Sequence, residues 1–221
     1  MLARRSTQTR LTPSDFHLPT LDLARSLLGK LLVRQLAGQR LSGIIVEVEA
    51  YLAKDDPASH SYRGKNRKNA AMFMQAGTLY VYPIHAKHCL NVVSEPVGVG
   101  AAILIRALEP WEGIEQMKLH RGTGDLRSLC TGPARLCQSL AIDREHDQIN
   151  LCASREIWLE AAPNLTAQKT WQVTASPRIG ISAAQSTPYR WFVDGHLCVS
   201  GLARLHQQRR HWTFGSPHQD S

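Results

Sequence analysis

Ile44-Ile-Val-Glu-Val-Glu-Ala-Tyr-Leu52 reads as a β-strand, because β-branched residues dominate it and suit a pleated, half-buried surface. Strand side chains alternate between faces. Ile44, Val46, Val48 and Ala50 are therefore expected to point one way, and Ile45, Glu47, Glu49 and Tyr51 the other. The first face is apolar and belongs in a core. The second carries two carboxylates and an aromatic ring, with the Cα atoms of the acids roughly 6.5–7 Å apart. A merely structural strand has little use for that combination, so the acid face is expected to border water or a site.

The flanking sequence supplies partners for this strand. Residues 30–36 read as a strand, residues 37–40 as a turn and residues 41–51 as the returning strand. Before them, a short helix over residues 19–28 buries Leu21, Ala24, Leu27 and Leu28, and Gly29 stops it. Residues 52–71 form a long polar loop, a length that in a compact domain marks function or disorder. A second hairpin is expected over 78–82 and 87–94, with residues 83–86 near its tip, followed by a strand over 101–108. Pro110 is expected to open a helix to about His120. A second helix spans 131–142, with Thr131 as its N-cap. Later strands are expected near 156–159, 171–174, 189–193 and 197–200. Most neighbours are hairpin partners, so the fold class is α/β of the α+β kind: a mainly antiparallel sheet with helices packed around it. Residues 1–17 are expected to be a basic, flexible tail, 18–203 the single folded domain and 204–221 a polar tail.

The chain carries 26 Lys and Arg against 18 Asp and Glu, a formal charge of +8, which suits a polyanionic partner. No apolar run approaches membrane-spanning length, and the polar first ten residues lack a secretory h-region. Five cysteines, an odd number without a C-x-x-C pair, read as reduced thiols of a cytosolic protein. The charge concentrates in His60-Ser-Tyr-Arg-Gly-Lys-Asn-Arg-Lys-Asn69, where Arg63, Lys65, Arg67 and Lys68 occur without an acid. Such a loop fits phosphate contacts, or is simply a solvated surface.

Glu49, at a strand end beside Tyr51, is the first candidate for a general base that deprotonates water. Glu47 is either its partner or a salt-bridge residue, and Arg106 can supply the balancing charge. Tyr51, Tyr80 and Tyr82 can line a slot for a flat ligand, with Tyr80 and Tyr82 on one face. His85 and His88 would point to opposite faces of a strand and come without a full ligand set, so no metal is expected.

Several motifs occur in a specific order: Val46-Glu-Val-Glu-Ala-Tyr51, His60-Ser-Tyr-Arg-Gly64, Gly77-Thr-Leu-Tyr-Val-Tyr82, Cys89-Leu-Asn91, Ile103-Leu-Ile-Arg-Ala-Leu-Glu-Pro110 and Leu129-Cys-Thr-Gly-Pro-Ala-Arg-Leu-Cys-Gln-Ser-Leu-Ala-Ile142. In this the chain resembles the alkyladenine (3-methyladenine, N-methylpurine) DNA glycosylase family, from about residue 18 to residue 201. The resemblance implies a compact domain around a curved antiparallel sheet. It implies a monofunctional, monomeric hydrolase that flips damaged purines out of double-stranded DNA, without cofactor, in the cytoplasm, nucleoid or nucleus. Glu49 matches the family's general base, Arg106 the arginine beside the attacking water, and the Val193 carbonyl the third contact to that water. Tyr51, His60 and Tyr82 match residues that sandwich the extruded base, and Asn91 the asparagine that crowds the amine of normal guanine. Thr131 and Gly132 join the basic loop as expected backbone contacts. Family members commonly carry a tyrosine wedge at the hairpin tip; here the tip is one residue shorter, leaving His85 or Ile84 for that role.

Two other readings compete. A non-catalytic nucleic-acid-binding module would use the same basic surface, but it would not need Glu49, Arg106 and the aromatic slot together. A nucleoside hydrolase would have no phosphates for the basic loop to meet.

Overall fold

The computed structural model describes residues 9–161 and 171–201. Its centre is a curled, eight-stranded sheet in which every strand pairing is antiparallel. The strands are β1 (Leu31–Leu36), β2 (Gln39–Tyr51), β3 (Leu79–Ile84), β4 (Lys87–Val93), β5 (Ala102–Glu112), β6 (Ile157–Glu160), β7 (Val173–Ser176) and β8 (Arg190–Val193). The main order is β3-β4-β5-β2-β1-β6. β2 is long enough to change partners along one edge: residues 39–44 pair with β1, and Glu47–Glu49 pair with β8. At both acids β2 is therefore flanked by β5 on one side and β8 on the other.

Helices α1 (Thr20–Leu27), α2 (Ile114–Arg121), α3 (Leu126–Leu129) and α4 (Pro133–Ser139) lie around the sheet. α1 buries Leu23, Ala24 and Leu27, and Gly29 follows it at φ +83°, a left-handed conformation that suits glycine. One large core joins α1 and α4 to the sheet through Ile45, Val48, Ala50, Ile105 and Leu108.

Strict alternation along β2 fails. Ile45 packs in the main core with Val48 and Ala50, whereas Ile44 and Val46 pack in two separate clusters. The cause is a pair of bulges: Val46 on β2 and Arg106 on β5 have no partner in the β2–β5 register. Each bulge re-aims the side chains beyond it. The acid face is also not at a solvent border, since Glu47 and Glu49 are both fully buried.

Other expectations change similarly. Pro110 lies inside β5 opposite Gly43, where the β2 register shifts, and only β2 flanks β5 there. The helix begins later, after Gly113 at φ +72°. Thr131 bridges Ala107 and donates its hydroxyl to the Arg127 carbonyl, so Gly132 takes the N-cap position of α4. Residues 197–200 form turns and irregular backbone instead of a strand. The fold starts before residue 18: Leu11 donates its N–H to the Leu159 carbonyl at 2.9 Å, and Phe16 is buried in the core. The expected C-terminal tail, 204–221, lies outside the described residues.

Candidate active site

The bulged strands converge on Arg106. Its Nε donates to Glu47 Oε1 at 3.2 Å, and its Nη1 lies 3.0 Å from Glu49 Oε2. Burial opposes its charge, yet Glu49 and then Glu47 hold its pKa above the ordinary value. Glu49 Oε2 also accepts from the Tyr51 hydroxyl at 2.9 Å, and Oε1 from the Ile179 N–H at 2.7 Å. Burial, and then the Glu49 carboxylate, push the Tyr51 phenol far up, so it stays a neutral donor.

Directly beyond these donors is a cavity of about 450 Å³, within the range of small-molecule sites. Tyr51, Arg106 and Ile179 line it, together with His60, Tyr80, Tyr82, Cys89 and Asn91. Glu49 sits immediately behind the lining and reaches it through all three of its partners.

The aromatic wall is built by the second hairpin and the long loop. Tyr80 and Tyr82 share a face of β3, as expected, with ring centroids 5.4 Å apart. The His60 ring stands edge-on to Tyr82 at 4.7 Å, and its Nδ1 lies 2.9 Å from the Tyr80 hydroxyl. Burial lowers the His60 pKa, favouring the neutral imidazole. Burial, then Asp147, pushes Tyr80 up to about 12. Burial and the neighbouring Cys89 raise Tyr82 as well.

Two anchors give the loop its shape. Asn69 donates both amide hydrogens to the carbonyls of His60 and Gly64, at 2.9 and 3.0 Å. The Ser61 hydroxyl donates to Gly100, where a Cβ would lie only 2.5 Å from the Phe73 ring. Asn91 donates its amide to the Tyr80 carbonyl at 2.9 Å, which fixes its orientation at the cavity wall.

The remaining expected residues divide. Arg63, Lys65, Arg67 and Lys68 are all exposed, and no ion pair among the described residues involves them. Thr131 and Gly132 are half-exposed beside Pro133, a cavity-lining residue. Ile84 borders the cavity with 41% of its surface exposed. His85 and Ala86 form the two-residue tip with φ of 44° and 59°, as a tight hairpin turn requires.

Val193 does not reach the site. Its side chain packs with Val46, Phe192 and Cys198, and its carbonyl accepts from His196 at 3.2 Å. The carbonyl facing Arg106 belongs to Ile179, 3.4 Å from Nη1. No sequence signal marks Ile179: it follows Pro177-Arg178 in an irregular segment, and its contribution comes from the backbone.

A buried carboxylate lies behind the wall of an aromatic-lined cavity, beside a basic surface loop, an arrangement that suits a hydrolase acting on a planar group carried on a polyanion. The comparisons agree. Residues 14–197 match the family model described as methylpurine-DNA glycosylase (MPG), and the chain belongs to that family. It is 45% identical to a mouse protein named DNA-3-methyladenine glycosylase, over 90% of this chain and 63% of the mouse protein. It is 42% identical to the human protein of the same name, over 90% of this chain and 71% of that protein. A Rhodopirellula baltica protein, whose 3-methyladenine DNA glycosylase name is provisional, is 51% identical over 85% of this chain and 82% of its own length.

Proposed function

We propose that this chain is a monofunctional DNA glycosylase. It extrudes an alkylated or deaminated purine from duplex DNA into the cavity and hydrolyses the N-glycosidic bond, the first step of base excision repair. The observation that carries this reading is Glu49, fully buried yet joined to the cavity by Tyr51, Arg106 and Ile179.

A base inside a duplex is out of reach, so extrusion costs a few kcal/mol, least for lesions that stack and pair badly. Tyr51, His60 and Tyr82 would sandwich the extruded ring. Asn91, held by Tyr80, would crowd a purine amine. Glu49 takes a proton from water held near Arg106 and the Ile179 carbonyl. The oxygen bonds to the sugar C1′ as the bond from C1′ to the purine nitrogen breaks. A cationic alkylated purine leaves as a neutral base, so water activation suffices for it; a neutral deaminated purine leaves as an anion and has to take up a proton, from solvent or a donor, as the bond breaks.

Ile84, apolar, exposed and at the cavity rim, is better placed than His85 to fill the gap in the duplex. Arg63, Lys65, Arg67, Lys68, Thr131 and Gly132 would meet the DNA backbone. One copy of the chain supplies every group this chemistry uses, and the chemistry calls on no cofactor. The place of action is wherever duplex DNA lies, nucleoid or nucleus; among the described residues no helix is long and apolar enough to cross a membrane.

The test is single-turnover base release from duplexes carrying hypoxanthine, 1,N6-ethenoadenine, 3-methyladenine or 7-methylguanine, at low salt, with Glu49→Gln alongside. Release by the wild-type chain, lost in the variant while DNA binding persists, is the expected result. Binding without release from any lesion would sink the reading.

A further inference from the structure

Two irregular segments contribute to the cavity wall. Residues 52–71 carry His60, and the stretch before β8 carries Ile179 to Ala183. A buried ion pair joins them. Arg178 Nη2 donates to Asp56 Oδ1 at 2.6 Å, and Nη1 donates to Asp56 Oδ2 at 2.7 Å and to the Ala50 carbonyl at 2.8 Å. Asp56 in turn accepts the N–H of Leu52 at 2.9 Å and of Ala58 at 3.3 Å. The Arg178 side chain is fully buried, and that of Asp56 is 1% exposed.

The pair lies against the catalytic groups without lining the cavity. The guanidinium carbon is 4.7 Å from the centre of the Tyr51 ring, so Arg178 backs the aromatic that donates to Glu49. The next residue, Ile179, sends its N–H to Glu49 and its carbonyl toward Arg106. One side chain therefore fixes both the ring and the backbone that hold the carboxylate.

Stability alone does not account for this arrangement. A buried ion pair is a weak source of stability, often matched by apolar residues of the same volume. Here one guanidinium N–H, at Nε, is buried without a hydrogen-bond partner. A bidentate arginine fork is, by contrast, a strong source of geometry.

We propose that Arg178 and Asp56 are positioning residues for base release: their pair latches the two walls together and sets Tyr51 and Ile179 against Glu49. The proposal rests on the glycosylase reading above.

The test uses the full chain and two conservative variants. Arg178→Lys keeps the charge and loses the fork; Asp56→Asn keeps the shape and loses the charge. Single-turnover release, affinity for the same lesion duplex and the melting transition are measured for each. A misplacement of about 1 Å can cost on the order of 10² in rate, so each variant should release base about 100-fold more slowly. Duplex affinity should change less than about threefold, because the basic loop is untouched. The double variant should be no slower than the slower single, as expected for residues acting as one unit. If Arg178→Lys fails to fold, Asp56→Asn still decides the matter.

Release at the wild-type rate by a folded variant overturns the latch and leaves the glycosylase reading standing. A rate loss matched by equal losses of affinity and melting temperature overturns it too, marking a general structural role. Absence of release by the wild-type chain from every lesion overturns both.

Discussion

Glu47 and Glu49 stand two residues apart on one strand, in regions that resemble each other by the usual measures. Both are fully buried, and both accept from Arg106. Glu47 also takes the Arg190 Nε at 2.6 Å and the Ser200 N–H at 2.6 Å; Glu49 takes Tyr51 and Ile179. Burial and the number of partners therefore do not separate a structural carboxylate from a chemical one. What separates them is where the partners lead. Those peculiar to Glu47 stay off the cavity wall: Arg190 lies over the Phe192 ring, in an apolar cluster with Val46, Val193 and Cys198, and Ser200 bonds back to Arg106. Those peculiar to Glu49 form part of a cavity wall. β8 pairs with β2 at both acids, so the difference lies in the side-chain partners: Glu47 accepts from Arg190 of β8, and Glu49 from Ile179 in the irregular segment ahead of it.

The largest expected effect tests the Glu49 side. Glu49→Gln should lower single-turnover release by about 10²–10⁴, the usual contribution of a general base, while the protein stays folded. Glu47→Gln should cost mainly stability, because Glu47 is the shared acceptor of two buried arginines, Arg106 and Arg190, where Glu49 pairs with one. Removing one member of a buried pair typically costs about 3–5 kcal/mol, and denaturant titration should show a loss of that order. Release per folded molecule should fall much less than in Glu49→Gln. If Glu47→Gln abolished release and left stability intact, the contrast between the two regions would be wrong.

How much of this the sequence discloses follows the same divide. The strand and both acids are legible in 44–52, since β-branched runs with period-two patterning are a local signal. Both hairpins and α1 are legible for the same reason. The bulges at Val46 and Arg106 are not, because they arise from the match between two distant strands. Pro110 misleads, since its preference for a helix's first turn gives way to a one-sided strand position. Of the water-holding groups expected, Glu49 and Arg106 meet, but the carbonyl near them is that of Ile179 and not Val193. A backbone carbonyl contributes whatever its side chain, so residue identity cannot mark it.

A smaller effect separates the basic loop from both acids. Lys65 and Lys68 are exposed and distant in kind from the buried network. Lys65→Ala and Lys68→Ala should each weaken binding equally to damaged and intact duplexes and reduce the slope of log affinity against log salt by about 1. Release from saturating complexes should hardly change. A salt slope unchanged in both variants would remove these residues from the DNA interface and leave the two-carboxylate contrast untouched.

The smallest effect uses pH to mark the cavity wall. Burial lowers the His60 pKa in the folded protein, so the unfolded chain binds the proton first as pH falls. The stability linked to this group is therefore fully present above its unfolded value, about 6.5, and declines as pH drops from there through the folded value. Denaturant titrations at about pH 7.5 and about pH 5.5 should show a decrement in the wild-type chain that shrinks in His60→Gln. Glu47→Gln should retain that decrement on top of its own loss, because sites without shared partners act additively. A decrement that survived in His60→Gln would place the titrating group elsewhere. One that vanished in Glu47→Gln would show the apolar cluster and the cavity wall to be a single coupled region.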